Sequence, residues 1–317
     1  MKKRRLGKTD LLVSEISLGA AGVGGHNLYL NIDETESVAT IIRAIELGVN
    51  FVDTSDFFGC GQSERLIGQI AKAVGPGLLI ATKGGLRWDL QGRFVSRDNS
   101  PAYLREALEA SLRRLGRETV DLYFIHSSDG KTPAAEAFGA LTRFQEEGKI
   151  RWGGLTNFEL EQIEDAQMAG PVAAVQAQYN FFDRRPDRNG LLDYCEKHGI
   201  GFVPYGCLGY GILTGKYRRD LRLPDQDWRN LLPLFRRRNY VLAVSLAQRM
   251  AETAKRRGAP LAHFALRWAL RRPATATVLS GAKRPEQIEE NIPSDEFEMM
   301  PDDFAWIDRM TGFLRFE

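Results

Sequence analysis

Short apolar runs recur along the chain and alternate with amphipathic stretches. ISLGA (16–20), NFVDT (50–54), LIATK (79–83), DLYFIH (121–126), IRWGGLT (150–156), VAAVQAQ (172–178), GFVPYG (201–206) and TATVLSG (275–281) make eight such runs. They are rich in β-branched and aromatic residues. Several are apolar on both faces, as strands buried in a parallel sheet are. Between them lie helical patterns. Val38, Ile41, Ile42 and Ile45 recur at three- and four-residue spacing. SPAYLREALEASLRRLG has Ser100 as a cap, Pro101 at the first helical position and Gly116 as a stop. AAEAFGALTRFQEEG and ELEQIEDAQMAG also end in glycine, and GLLDYCEKHG is a shorter helix. The stretch from Asn239 to Arg271 breaks at Gly258 and Pro260 into two helices, and RPEQIEEN follows the eighth run.

Eight strands alternating with helices, with no linker, predict an α/β (β/α)8 TIM barrel over residues 1–317 as one domain. A doubly wound sheet is the competitor, but no GxGxxG follows the first run. RRLGKTDLLVSEI predicts an N-terminal β-hairpin under the barrel. Residues 217–240 read as one long polar loop, and 293–317 as a tail with a short helix.

Composition narrows the class. Lys plus Arg is 43 and Asp plus Glu is 41, a balance that does not point to nucleic acid or a membrane surface. No run of about 18 apolar residues occurs, so no transmembrane helix is expected. The basic N-terminus lacks the apolar core of a signal peptide. Cys60, Cys195 and Cys207 are odd in number and have no metal spacing; no metal is expected, and a reducing cytoplasm fits. Oligomeric state stays open.

In such a barrel, chemistry belongs at the C-terminal ends of the strands. Asp53, Lys83 and His126 end the second, third and fourth runs. Asn157 follows the fifth, Gln176 and Gln178 lie in the sixth, and Tyr205 lies in the seventh. Alone, such an Asp caps a loop, such a Lys is a rim charge and such a His is structural. Three on consecutive strands point to a site.

These residues sit in segments that resemble the aldo-keto reductases. LGKTDLLVSEISLGAAGVGG, FVDTSDFFGCGQSERLIG, IATKGG, SLRRLGRETVDLYFIHSSD, VQAQYNFFDR, VPYGCLGYGILTGKY and VLSGAKRPEQIEEN carry the resemblance in order over nearly the whole chain. It implies a (β/α)8 barrel, a nicotinamide cofactor held without a Rossmann fold, and carbonyl reduction or its reverse on a small-molecule substrate. The family's catalytic set is Asp, Tyr, Lys and His. Asp53, Lys83 and His126 match three places. The family's D-T-A-x-x-Y-G reads Asp53-Thr54-Ser55-Asp56-Phe57-Phe58-Gly59 here, so Phe58 stands where the tyrosine acid belongs.

A phenyl ring has no proton to give. Losing a general acid costs about 10²–10⁴ in rate, or roughly 2.7–5.4 kcal/mol. Four readings follow. His126 acts as the only donor. The substrate is an imine that brings its own proton, helped by Asp53 or Asp56 and the Phe58 face. The step is non-redox or recycles cofactor. Or the protein is a non-catalytic cofactor sensor. Asp56 itself reads as a surface-loop residue before a substitute acid. The Asp53–Lys83 pair reads equally as an inherited structural bridge or as functional, the latter either a preorganised charge or Lys83 as a base for alcohol oxidation.

The cofactor side matches the family. By resemblance, Thr156, Asn157 and Gln176 meet the nicotinamide carboxamide, which offers both donor and acceptor. Tyr205 stacks on the ring. Gly206, Leu208, Gly209 and Gly211 bring backbone N–H groups to the pyrophosphate, and Lys216 adds charge. The adenosine contacts map to Gly281, Lys283, Gln287, Glu290 and Asn291. Lys283 and Arg284 favour NADP(H) over NAD(H), although a basic residue of some relatives maps to Gln287. Gly24, Gly25, His26 and Trp88 are expected at the substrate mouth, and Arg236, Arg237 and Arg238 on solvated surface. The reading is an NAD(P)H-dependent oxidoreductase acting on a small C=O or C=N compound. The alternative is a non-catalytic or non-redox cofactor-binding protein with a regulatory or assembly role.

Overall fold

A computed structural model describes residues 1–89 and 91–316; the predicted domain also takes in Leu90 and Glu317, which lie outside the described residues. The strands are β1 (Lys3–Arg5), β2 (Leu12–Ser14), β3 (Ile16–Gly19), β4 (Phe51–Asp53), β5 (Leu79–Gly84), β6 (Leu86–Trp88), β7 (Phe94–Arg97), β8 (Val120–Ile125), β9 (Ile150–Thr156), β10 (Ala174–Gln178), β11 (Gly201–Tyr205) and β12 (Val278–Gly281). The helices are α1 (Glu34–Glu46), α2 (Gln62–Val74), α3 (Pro101–Leu115), α4 (Ala134–Glu146), α5 (Leu160–Gln167), α6 (Arg185–Arg188), α7 (Leu191–His198), α8 (Arg237–Arg256), α9 (Leu261–Ala269), α10 (Pro285–Asn291) and α11 (Pro301–Thr311).

Eight strands pair in parallel in the order β11-β10-β9-β8-β5-β4-β3-β12. The two edges meet just before β12. Phe202 N–H donates to the Ala274 carbonyl at 2.7 Å, and Ala276 N–H donates to the Phe202 carbonyl at 3.2 Å. The sheet is therefore a barrel, and each of the eight apolar runs supplies one stave. Local signals set the helix ends. Ser100 Oγ accepts the Tyr103 N–H, Pro101 opens α3, and Gly116 closes it at φ 62°. Asp33 caps α1 through the Glu36 N–H at 2.8 Å.

Two apolar layers hold the barrel. Its interior packs Phe51, Leu122, Phe124 and Val203 over Leu6 and Leu11, which are fully or almost fully buried. Those two leucines come from the β1–β2 hairpin, which plugs the end where the strands begin. Gly7 makes that fit possible: its φ is +54°, and a Cβ there would lie 2.6 Å from the Gly201 nitrogen. The second layer lies between strands and helices.

Three features depart from the sequence reading. Periodicity does not single out α2, which is nonetheless the crossover between β4 and β5. The antiparallel pair β6–β7 is an added hairpin beside the mouth. Residues 217–240 are not wholly a solvated loop: Asp227 and Leu234 are buried, and Arg237 already begins α8. The segment closes on itself because Arg229 both pairs with Asp227 at 2.6 Å and donates to the Tyr217 hydroxyl at 2.8 Å. Arg236, Arg237 and Arg238 are exposed, and the tail does form α11, tied back by Arg184–Asp308 at 2.6 Å. Among the described residues, no helix is long and apolar enough to cross a membrane.

Candidate active site

The C-terminal ends of β4, β5, β8, β9, β10 and β11 bring their polar residues to one mouth. Asp53 and Lys83 are both buried. Lys83 Nζ donates to Asp53 Oδ1 and Oδ2, each at 2.6 Å, and to the Thr54 carbonyl at 2.7 Å. An ammonium has three hydrogens, and all three are placed. Gln176 Nε2 donates to Asp53 Oδ1 at 3.0 Å, so the carboxylate is held from a third strand. Burial pulls the Lys83 ammonium below its ordinary pKa, and Asp53 opposes that pull.

Phe58 occupies the turn after β4. Its ring centre lies 5.6 Å from Lys83 Nζ and 6.0 Å from the His126 ring, which it meets nearly edge-on at 82°. The turn is fixed by its neighbours. Asn27 Oδ1 accepts the Gly59 N–H at 2.8 Å, and Asn27 Nδ2 donates to the Phe57 carbonyl at 2.9 Å. Gly59 has φ +61°, and a Cβ there would fall 1.9 Å from the Gly24 carbonyl. Phe57 packs against Trp88 and Phe94 of the added hairpin, with ring centres 6.2 and 6.5 Å away.

His126 is partly exposed, and its Nδ1 lies 3.0 Å from Ser55 Oγ. Burial pushes its pKa well below the ordinary histidine value, and Lys83 and Arg97 push the same way. Asp56 corrects the sequence reading most sharply. It is fully buried behind the mouth, not on a surface loop. Ser55 Oγ lies 3.1 Å from its Oδ1, while among the described residues its Oδ2 has no partner. Burial, then Glu64, raises its pKa well above the carboxylate range.

The rim beside this cluster suits a carboxamide. Among the described residues the buried Thr156 hydroxyl has no partner. Gln176 spends one N–H on Asp53 and keeps the rest of its amide. Asn157 adopts φ +57°, rare for a residue with a side chain. Its Oδ1 accepts the Tyr205 hydroxyl at 2.8 Å, and its Nδ2 reaches the His126 carbonyl at 3.4 Å. Tyr205 is partly exposed beside them. An orphaned hydroxyl and half-used amides match the donors and acceptors that a nicotinamide carboxamide needs.

The residues expected along the rest of the dinucleotide lie on the turn after β11 and around α10. Gly206 and Leu208 precede a tight turn in which Gly209 and Gly211 donate their N–H groups to the Gly206 and Leu208 carbonyls at 2.8 and 3.0 Å. In this structure those two amides are bonded within the turn. Lys216 pairs with Glu290 at 2.6 Å, linking this turn to α10. Gly281 is exposed with open space around it. Gln287 Oε1 accepts the Lys283 N–H at 2.7 Å, and Lys283 Nζ sits 4.2 Å from the Tyr29 ring centre. Arg284 pairs with Glu36 at 3.3 Å. Asn291 is buried and donates to Ser280 Oγ at 3.1 Å, so it braces α10 against β12. Ser55 and Asn27 were not singled out by sequence. Ser55 was legible only as a departure from alanine in D-T-A-x-x-Y-G.

A parallel eight-stranded barrel with a buried Lys–Asp pair, an imidazole and an amide rim at the strand ends has its polar cluster where barrel enzymes carry their chemistry. The chain belongs to the aldo/keto reductase family, which it matches over residues 15–311. It is 32% identical over 280 residues to the aldo-keto reductase yakc of Schizosaccharomyces pombe, named for NADP(+), covering 87% of this chain and 82% of that one. It is 32% identical over 305 residues to the NADH-specific methylglyoxal reductase of Escherichia coli, covering 92% and 93%. The solved glycerol dehydrogenase AKR11B4 of Gluconobacter oxydans superimposes with a TM-score of 0.88 at 33% identity, covering 98% and 94%. The chain is thus an NAD(P)H oxidoreductase of this family.

Proposed function

We propose that this chain reduces a small carbonyl compound and that His126 takes the place of the missing phenol as proton donor. One observation carries the reading. Among the described residues His126 Nε2 has no partner, while Nδ1 is held by Ser55 and every hydrogen of Lys83 is already given away. The cofactor supplies the hydride when bound. His126 stays neutral because its pKa is depressed, and a neutral imidazole N–H can polarise a carbonyl oxygen as it gains charge. Lys83 is a fixed positive charge under that position. With three hydrogens donated it is not poised as a base.

An imine substrate ranks second. It needs no donor, but the carboxylates that would steady its positive charge are turned elsewhere: Asp53 is bound by Lys83 and Gln176, and Asp56 lies buried behind the mouth. Thr156, Asn157, Gln176 and Tyr205 hold the nicotinamide end, and Lys283 and Arg284 support NADP(H) over NAD(H). The exposed Arg284–Glu36 pair is the kind that exchanges readily for a phosphate. The chain works as one barrel domain, and its free cysteines suit the cytoplasm.

The test is a fluorescence titration with NADPH and NADH, followed by NADPH oxidation with methylglyoxal and a panel of aldehydes. Binding with turnover supports the reading. Binding of neither cofactor favours the non-catalytic alternative.

A further inference from the structure

Ser55 and Asp56 line up behind His126 in a way the reduction itself does not require. Ser55 Oγ accepts the Phe57 N–H at 3.1 Å. It also lies 3.0 Å from His126 Nδ1 and 3.1 Å from Asp56 Oδ1. A hydroxyl has one hydrogen and two lone pairs. Phe57 uses one lone pair, so toward the other two neighbours the hydroxyl can donate once and accept once. One of the two must therefore bring a proton. Either Asp56 is the acid and His126 Nδ1 accepts, or Asp56 is a carboxylate and Nδ1 carries hydrogen.

These two arrangements are the states before and after a proton leaves His126 Nε2. We propose that Asp56 and Ser55 form a proton relay that recharges His126 from behind as it protonates the substrate oxygen. The relay rests on the proposed role of His126 as donor. In the step, hydride bonds to the carbonyl carbon and the C=O π pair moves to oxygen. Oxygen takes the hydrogen of Nε2, Nδ1 takes that of Ser55, and Ser55 takes that of Asp56. Asp56 ends as a carboxylate. After product leaves, a proton from solvent returns through Nε2 by the reverse path. Ser55 and Asp56 are fully buried behind the imidazole, so they act through His126 as positioning residues.

The surroundings favour the acid form of Asp56 at rest. It is fully buried, and among the described residues Oδ2 has no partner, which a neutral acid tolerates better than a carboxylate. The groups that act on it are Glu64 on α2, Arg114 and Tyr103 on α3, Lys83 on β5 and Tyr123 on β8. Glu64 is engaged by Thr82 and Arg114 at 2.5 Å each, so the nearest cation of the helix layer is committed elsewhere. Lys83 and Arg97 act on His126.

Nitrogen-15 NMR of the imidazoles tests this without any substrate. The protein has four histidines, and His126→Gln assigns the signal. At neutral pH the wild type should show a neutral ring with hydrogen on Nε2. Ser55→Ala should lose that preference, and Ser55→Thr should keep it. Hydrogen on Nδ1, an imidazolium at neutral pH, or a tautomer unmoved by Ser55→Ala overturns the relay. With methylglyoxal and NADPH, Asp56→Asn should slow single-turnover reduction by about 10²-fold and shrink the solvent deuterium effect on it to that of the single Nε2 transfer. Wild-type rate in a folded Asp56→Asn protein overturns the relay but leaves the carbonyl reading standing. Absence of wild-type turnover beside the Nε2 tautomer fails that reading and supports the resting arrangement.

Discussion

Lys83 Nζ stands 5.6 Å from the centre of the Phe58 ring, and its three hydrogens all point to Asp53 and Thr54. The cation therefore faces an aromatic ring with no hydroxyl to activate. Phe58→Tyr restores a phenol beside that cation. The variant should reduce methylglyoxal faster than the parent, by up to about 10²–10⁴. Initial rates with NADPH read this directly. Equal rates would mean that the missing phenol does not limit the parent.

The Asp53–Lys83 pair is buried on both sides, at 5% and 1% side-chain exposure. Removing one partner strands a charge. Asp53→Ala should lower unfolding free energy by about 3–5 kcal/mol, seen as a lower urea midpoint. Asp53→Leu with Lys83→Met should recover much of that loss, because the desolvation cost leaves with the charges.

Asp56 and His126 give opposite pH signatures. Asp56 holds its proton in the folded state above its ordinary value of 3.8, so the unfolded chain binds fewer protons there. Stability from this group is full below 3.8 and is lost as pH rises toward the folded value, by up to about 1.4 kcal/mol per pH unit. Asp56→Asn should thus gain on the wild type as pH rises, when urea midpoints at pH 5 and pH 8 are compared. His126 has a depressed folded value, so below 6.5 the unfolded chain binds more protons. Its contribution falls as pH drops through that point, and His126→Gln should lose that part of the acid sensitivity.

Asn157 holds a left-handed backbone that costs about 1–3 kcal/mol, and its side chain ties Tyr205 to the mouth. Asn157→Gly should keep or raise the melting temperature and weaken nicotinamide binding. Thermal melts and fluorescence titration of the same sample separate the two effects.

Lys283 sits over Tyr29 at the start of α10, and burial lowers its pKa. If it meets a 2′-phosphate, Lys283→Ala should weaken NADPH binding about tenfold, one charge-assisted hydrogen bond. NADH binding should change little. Equal losses for both cofactors would count against the NADP(H) preference.

The barrel was legible in the chain because strand burial is written as composition. Eight short apolar runs, several of them apolar on both faces, each became a stave, and caps such as Ser100 and Gly116 set the ends of α3. The convergence of Asp53, Lys83 and His126 was legible too, since the ends of parallel strands face one way. What the sequence could not set was side-chain direction in the turn after β4. There the backbone is irregular and no period tells inside from outside. Asp56 read as surface, yet tertiary packing buries it fully and leaves Oδ2 without a partner among the described residues. The pairing of Ser55 with His126 across 71 positions likewise exists only once β4 and β8 share a barrel. The residues determined the fold and the convergence of charges; their three-dimensional packing decided that Asp53 is locked by Lys83 and Gln176 and that Asp56 is buried where it can hold a proton.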